Sequence, residues 1–393
     1  MSMKFVAPAL AAVFALALAA PAGAEQKIVT QGVTDSEIKL GVHVDLSGPI
    51  TVWGIPQRNG HIMRVEEQNA KGGVYGRKID LIVEDNGYDP KKGVLATQKL
   101  IEQDKVFALV GVLGTAVFIP SMQIALEDGI PFIFPGTNHR ASFEPFSPLK
   151  FAMGAPYDSQ IKEGVKYFAE KMGKKKVGVI FQDDDFGKDI RDAAVTQAKA
   201  QNIEVVAQES YKRGDTSFSS QVANLHRAGA DLVVLGTVPR ETVGVMKEIS
   251  NSGWKVDAVA NAGACAQATI ALGQQAVEGL YVQCQFVPFD PANEDAAVKD
   301  WIKRYEARFN TKADIAAALT YDMEDMVIIA LQKAGKDLTA EKFIAGLESI
   351  TDYHDIFGSP PQSFGPHKHL GTEGFVLLRI EGGKFQRVVS FGG

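Results

Sequence analysis

The chain has 393 residues, enough for two domains that each bury a core of their own. Hydrophobic residues make up 46% and charged residues 22%, which are the values of an ordinary globular protein and exclude a disordered or fibrous chain. The formal net charge is -6 and the lysines and arginines are dispersed, so the surface offers no positive field for nucleic acid. We therefore expect a two-domain globular protein whose partners do not include nucleic acid.

The amino terminus has the pattern of a secretory signal peptide. Lys4 precedes an apolar block at 5–20, and a small-residue cleavage site, Pro-Ala-Gly-Ala, follows at 21–24. The block is shorter than the roughly 20 residues that span a bilayer. No cysteine follows the cleavage site to carry a lipid. We predict that 1–24 form a cleavable signal peptide and that the mature chain lies in the periplasm without membrane insertion.

Strand and helix patterns alternate along the chain. Short runs rich in Val, Ile and Leu predict strands, and segments with apolar residues at helical spacing lie between them. The predicted strands are 37–44, 78–85, 106–112, 130–134, 177–181, 203–206, 232–235 and 256–260, and the first predicted helices are 57–69, 90–103 and 120–128. Such strands predict parallel sheets covered on both faces, and the pattern restarts after residue 158. The fold class is therefore α/β, with two doubly wound lobes.

The chain has two cysteines, Cys265 and Cys284, 19 positions apart. In an oxidising compartment they are able to form one bridge, and the alternative is two buried thiols. Metal binding is disfavoured because no nearby histidine or further cysteine completes a ligand set. The sequence indicates no metal site and no cofactor.

Candidate binding residues follow the strands, because ligands in open parallel sheets bind beyond the carboxyl ends of the strands. Most of these residues are polar or aromatic. They are Ser47 and Trp53 after the first strand, Thr115 and Phe118 after the third, Thr137, Asn138, His139 and Arg140 after the fourth, and Phe186 after the strand at 177–181. Each also has a structural interpretation. Trp53 and Phe118 are candidate packing residues, Thr115 is a candidate helix cap, and Arg140 is able to pair with Glu144 in solvent.

Several short stretches are specific when taken together in their order. They are 38–41 (Ile-Lys-Leu-Gly), 46–49 (Leu-Ser-Gly-Pro) as far as Gly54, 72–79 (Gly-Gly-Val-Tyr-Gly-Arg-Lys-Ile), 84–85 with 89–90, and 128–131 (Asp-Gly-Ile-Pro). Nearly the whole chain thereby resembles the periplasmic substrate-binding proteins of branched-chain amino acid ABC importers. The resemblance implies a type I periplasmic binding fold, with two lobes joined by three hinge crossovers. It places lobe 1 at 25–153 and 286–352, and lobe 2 at 154–285 and 353–393.

The resemblance also assigns roles to individual residues. Trp53 matches a loop aromatic that packs on the ligand side chain, and Thr115 matches a hydroxyl residue that binds an α-carboxylate. Thr137 and Asn138 match the next loop around the head group, and Phe186 stands where relatives have a tyrosine. The implied partners are a small ligand and the permease of an ABC transporter.

One departure from the family concerns the ligand's ammonium group. The acidic residue that neutralises it in amino-acid binders should fall near Gly263, and the stretch 261–265 (Asn-Ala-Gly-Ala-Cys) has no carboxylate. Burial of an ammonium group without a counter-charge costs several kcal/mol. His139 and Arg140 add donors, and the aromatic candidates add flat apolar surface. We therefore expect a small carboxylate, and an aromatic acid rather than an α-amino acid.

Other functions share the fold. A branched-chain or other amino acid, or an amide, is the alternative ligand, and a sensor that reports to a membrane receptor is the alternative binding role. An enzyme is disfavoured, because the sequence has no phosphate-binding Gly-x-x-x-x-Gly-Lys loop, no Gly-x-Ser-x-Gly elbow and no His-Glu-x-x-His motif.

Overall fold

The computed structural model describes residues 1–2, 26–290 and 294–392. The predicted signal peptide at 1–24 lies almost wholly outside the described residues and stays a prediction. Among the residues that are described, no helix has both the length and the apolar character to cross a bilayer.

Two separate sheets confirm the predicted two-lobed α/β architecture. The first has the strand order β2-β1-β3-β4-β5 with all neighbours parallel, and the second has the order β12-β11-β10-β9-β8-β6-β7. In the second sheet β11 runs antiparallel to both β10 and β12, and the other pairs are parallel. The strands are β1 (Glu37–Val44), β2 (Lys78–Asp85), β3 (Ala108–Val110), β4 (Phe132–Ile133), β5 (Lys150–Phe151), β6 (Lys176–Gln182), β7 (Glu204–Tyr211), β8 (Leu232–Gly236), β9 (Asp257–Ala260), β10 (Tyr281–Cys284), β11 (Phe375–Glu381) and β12 (Lys384–Phe391).

Helices cover the sheets. They are α1 (Thr51–Ala70), α2 (Pro90–Gln98), α3 (Thr115–Asp128), α4 (Tyr157–Lys171), α5 (Asp185–Ala200), α6 (Ser219–Arg227), α7 (Pro239–Asn251), α8 (Gln267–Gly273), α9 (Ala296–Phe309), α10 (Ile315–Ala334) and α11 (Ala340–Glu348). A π-helical turn, Lys99–Gln103, continues α2. The helix α3 begins five residues before its predicted start at Pro120. The prediction places the start at Pro120 because proline is common in the first turn of a helix. Pro120 instead lies inside α3, and Thr115 and Phe118 belong to the turns before it.

The chain passes between the sheets after β5, after β10 and before β11. The segment before the last passage lies beside the first sheet. Leu370 forms a bridge with Ala152, the Tyr353 hydroxyl group donates to Asp325 of α10 at 3.0 Å, and the Phe364 ring lies 5.7 Å from that of Phe151. We therefore propose that the third passage lies after residue 370 rather than at the predicted boundary of 353.

A disulfide joins the two cysteines. Cys265, in the loop that follows β9, is bonded to Cys284 at the end of β10. Of the two interpretations left open by the sequence, the structure therefore has the bridge.

Candidate ligand-binding cleft

A cavity lies between the lobes, at the carboxyl ends of the parallel strands. Its volume is about 90 Å³, measured as the space open to the centre of a water molecule. One water needs roughly 10–15 Å³ on that measure, so the cavity has room for a small solute. None of the described lining residues is charged. They are Ile50, Trp53, Gln57, Tyr88, Leu113, Gly114, Thr115, Pro135, Gly136, Thr137, Asn138, Met153, Gly154, Tyr157, Phe186, Val238, Ala262, Gly263, Cys265, Gln285, Ile315, Leu319 and Met323.

Hydroxyl groups and free backbone amides form the wall of lobe 1. The helix α3 begins at Thr115, and the N–H groups of Thr115 and Ala116 donate to no described residue. The Thr115 and Thr137 hydroxyl oxygens lie 2.7 Å apart and share a hydrogen bond. Tyr157 of lobe 2 also lines the cavity, and burial raises the pKa of Tyr157 to about 12, so its hydroxyl group stays protonated. A helix N-terminus with nearby hydroxyl groups is suited to an anion.

A buried polar network supports this wall from behind. His43 has no exposed surface, and burial lowers its pKa to about 3, so the imidazole is neutral. Its Nδ1 accepts from Asn86 at 3.1 Å, and its Nε2 lies 3.0 Å from the Thr97 hydroxyl oxygen. Asn86 also donates to the Leu113 carbonyl at 3.3 Å. The network thus connects the ends of β1 and β2 to the loop that leads into α3.

Trp53 spans the cleft. Buried Asp45 accepts from the backbone of Gly48 and Ile50 and thereby shapes the loop that leads into α1. Trp53 lies in the first turn of that helix and is 9% exposed. Its indole N–H donates to the Gly263 carbonyl of lobe 2 at 2.9 Å. This contact shows that the cleft is closed.

Lobe 2 presents aromatic surface and backbone. The Asn261 side chain donates to the Leu235 and Thr237 carbonyls at 2.9 and 3.0 Å and accepts from Gly263 N at 2.6 Å, which fixes the loop after β9. A Cβ at position 263 would lie 2.7 Å from Asn261 Oδ1 and 3.2 Å from the Phe186 ring. Position 263 therefore has no room for an acidic side chain unless its neighbours move.

Five of the nine predicted site residues line the cavity. They are Trp53, Thr115, Thr137, Asn138 and Phe186. Their role in ligand contact stays a prediction, because lining a cavity is not binding.

The other four predicted residues do not line this cavity, and their surroundings explain why. Phe118 has no exposed surface, because its ring packs edge-on against Phe132 of the first sheet inside the core. Ser47 donates to Asp85 at 2.6 Å in a shallow hollow at the edge of the cleft. His139 accepts from the Ala141 N–H and caps a short turn. Arg140 forms ion pairs with Asp158 and Glu144.

Sequence reasoning missed several lining residues. Tyr88 follows β2, so the rule about strand ends could have found it. Ile315, Leu319 and Met323 recur every four residues on α10, which gives one helical face, but nothing in that spacing distinguishes a cavity from a core. Gln285 directly follows β10, but the sequence pattern predicts no strand at 281–284, so no strand end points to this residue.

A model of a known family matches most of the chain. The family is described as periplasmic binding protein, and the match covers residues 37–384. The chain belongs to this family. The two parallel-dominated sheets and the three passages between them are the type I periplasmic binding fold. A solute-binding role follows from membership of the family.

Curated relatives and solved structures agree with this placement. An amino acid binding protein of Pseudomonas aeruginosa is 28% identical over 62% of this chain and 66% of its own length, and the Leu/Ile/Val-binding protein BraC3 of Rhizobium johnstonii is 24% identical over 89% and 93%. A fatty acid ABC transporter substrate-binding protein from Thermomonospora curvata is 25% identical, with a TM-score of 0.83 over 94% of this chain and 95% of that one. A solute-binding protein of an R. palustris ABC transporter, in complex with benzoate, is 21% identical, with a TM-score of 0.78 over 90% and 96%.

Proposed function

We propose that this protein is the periplasmic solute-binding component of an ABC importer and that it captures a small carboxylate without an α-ammonium group, most favourably an aromatic acid. The observation that carries the ligand class is the uncharged cavity, in which no Asp or Glu is among the described lining residues. An α-amino acid would bury its ammonium group without a counter-charge, at a cost of several kcal/mol.

The carboxylate end is supported by the start of α3. Two free N–H groups and the Thr115 and Thr137 hydroxyl groups are neutral donors, and they lie together at the positive end of the helix dipole. Hydrogen bonds to a charged acceptor are about twice as strong as neutral ones. A carboxylate therefore gains from this wall without an arginine or lysine in it.

The aromatic preference rests on the rings around the rest of the cavity. Trp53 and Tyr88 contribute from lobe 1, and Phe186 and Tyr157 lie edge to face at 5.5 Å. Aromatic pairs contribute roughly 0.5–1.5 kcal/mol beyond the area they bury. The R. palustris relative holds benzoate in the same fold, which supports a ring-bearing carboxylate as the first candidate.

Three amide side chains indicate that the ligand is not wholly apolar beyond its carboxylate. Gln57, Asn138 and Gln285 line the cavity, and Gln57 Oε1 and Gln285 Nε2 are buried without a partner among the described residues. A buried amide without a partner costs about 1–3 kcal/mol. A ring that carries a hydroxyl or carbonyl group would satisfy part of this need, and bound water would satisfy the rest.

Closure explains how such a site holds and releases its ligand. The head-group wall lies on lobe 1, whereas Gly263 and Phe186 lie on lobe 2, so a ligand makes all its contacts only when the lobes meet. Binding energy then shifts the equilibrium between open and closed forms. A permease would distinguish the loaded protein by its closed surface.

Matched ligand pairs test the proposal with one variable at a time. Isothermal titration of the mature protein would compare 3-phenylpropanoate with phenylalanine, and 4-methylpentanoate with leucine, since the members of each pair differ in the α-ammonium group alone. We expect each deaminated acid to bind more than about a hundredfold tighter than its amino acid. Benzoate would serve as a shorter aromatic probe.

Tighter binding of leucine or phenylalanine would overturn the proposed ligand class. The transport role has a separate test, because a strain that lacks this protein should lose uptake of the bound acid. A strain that keeps uptake but loses a response to the acid would identify a sensor.

A further inference from the structure

Tyr88 has a strained backbone at the junction of the two lobes. Its φ is 53°, in the left-handed region that is unfavourable for a residue with a Cβ. The Tyr88 N–H donates to the Asn86 side chain at 2.8 Å, and the ring packs over Gly114, where a Cβ would lie 2.6 Å from it. The strained residue is thus held against the loop that begins α3.

Gln182 and Arg213 of lobe 2 contact Tyr88, and Asp184 of the same lobe bonds both of them; these three residues are called the clasp below. Gln182 Nε2 donates to the Tyr88 hydroxyl oxygen at 3.0 Å. Arg213 Nη1 donates to the Tyr88 carbonyl at 2.7 Å, and its guanidinium carbon lies 4.8 Å from the centre of the Tyr88 ring. Lobe 2 therefore contacts the backbone, the ring and the hydroxyl group of one lobe-1 residue.

The clasp is assembled on lobe 2 without help from Tyr88. Asp184 pairs with Arg213 Nη2 at 3.0 Å and accepts from Gln182 at 2.6 Å. The same carboxylate accepts from the Phe186 N–H at 3.1 Å and so caps α5. An arginine fixed in this way loses little side-chain freedom when the lobes meet.

We propose that the clasp on Tyr88 is a latch that sets how much of the protein is closed and how long a ligand stays, although Arg213 does not touch the ligand. Arg213 is absent from the cavity lining, whereas Tyr88 lines it and packs on the loop of the head-group wall. Opening the cleft must break the Arg213–Tyr88 contacts. The latch rests on the proposed closing cleft but not on the identity of the ligand.

The test compares Arg213→Ala with Arg191→Ala in the full mature chain. Arg191 is the matched control, because it also belongs to lobe 2, pairs with a carboxylate and lies over an aromatic ring, at 5.0 Å from the Phe181 centroid, within its own lobe. Small-angle scattering would report the closed fraction with and without probe. Stopped-flow tryptophan fluorescence would give the dissociation rates of benzoate and 3-phenylpropanoate.

We expect Arg213→Ala to shift scattering toward the open form and to raise the dissociation rate about tenfold, with little change in the association rate. Arg191→Ala should match the wild type. Arg213→Lys keeps the charge but not the two-pronged contact, and should fall between them. It also provides a folded variant should Arg213→Ala unfold.

Scattering and dissociation rates unchanged in both Arg213 variants would overturn the latch. If no probe binds, the proposed ligand class is wrong. The latch is then tested by the scattering of the ligand-free proteins alone. An unchanged open fraction in Arg213→Ala would then overturn the latch as well.

Discussion

The two lobes contribute different chemical groups to the walls of the cleft. Lobe 1 supplies hydroxyl groups and free amides that rest on a buried network around His43, whereas lobe 2 supplies Phe186, small residues and the Gly263 carbonyl. The polar donors at the start of α3 are directional, whereas the Phe186 ring of lobe 2 is flat and apolar. We propose from this difference that lobe 1 recognises the head group and that lobe 2 adds apolar contact and completes closure.

The largest expected effect comes from the residue that joins the walls. Trp53→Ala removes both an aromatic contact and the bond to Gly263, and should weaken binding of the preferred carboxylate by about 2–3 kcal/mol in titration calorimetry. Trp53→Phe keeps a ring and should lose less. Trp254→Phe, whose ring stacks on His226 away from the cavity, is the control. Equal affinity in Trp53→Ala and the wild type would contradict the division between the walls.

The support behind the lobe-1 wall should make stability depend on pH. The folded pKa of His43 is about 3, below the usual 6.5, so the native state binds fewer protons than the unfolded state between these values. Stability is therefore retained above about pH 6.5 and lost as pH falls toward 3. Between pH 7 and pH 5 the loss due to His43 is about 2 kcal/mol.

His43→Gln isolates that contribution. The variant lacks the titrating group, so its free energy of unfolding, measured in urea, should fall less between pH 7 and pH 5 than that of the wild type. Parallel pH curves for the two proteins would show that the neutral imidazole is not a part of the support.

The polar wall itself is tested by Thr115→Val. The substitution keeps the shape but removes the hydroxyl group and its hydrogen bond to Thr137, so carboxylate affinity should fall roughly tenfold, or about 1–2 kcal/mol. Ser121→Ala is the control, since Ser121 is buried on the same helix and its hydroxyl group has no described partner. A loss of affinity in both variants would point to α3 packing instead of the head-group contact.

The smallest effect is expected on lobe 2. Phe186→Leu should weaken aromatic acids by roughly 1 kcal/mol and aliphatic acids by less, because an aliphatic side chain keeps apolar contact but loses the ring. Phe118→Leu should lower stability without changing the ratio of the two affinities, since its ring packs on Phe132. A larger loss in Phe186→Leu than in Thr115→Val would reverse the assignment of the walls.

The success of sequence reasoning also differs within the cleft. The rule that ligands lie beyond strand ends places Trp53, Thr115 and Thr137 at the cavity, because the backbone leaves a parallel strand in a fixed direction. The rule does not say which side chains of the following helix face the cavity. Phe118, which the rule also suggests, is buried in the core and does not line the cavity. Likewise, His139 is turned away by a short helical turn that depends on its own ring nitrogen.

The cavity-lining residues on helices could not be predicted from the sequence, for a different reason. Gln57 and Leu319 lie on α1 and α10, which meet only in the folded chain, and their sequence separation carries no trace of the contact. The absence of an acidic residue near Gly263 could be recognised from the sequence, because the resemblance to the family predicts an acid at that place. Its structural cause, the Asn261 side chain in the same space, needed coordinates.

Because Cys265 and Cys284 are bonded, the compartment in which the chain folds affects the structure of the site. Cys265 lines the cavity, and the bridge fastens its loop to the neighbouring strand. A reducing cytosol leaves such a pair as thiols, whereas an export pathway oxidises it. Protein prepared by the two routes would share one sequence and one pair of sheets but would differ in how freely the Gly263 loop moves. The oxidation state of this cysteine pair in a sample therefore affects the binding site that the sample presents.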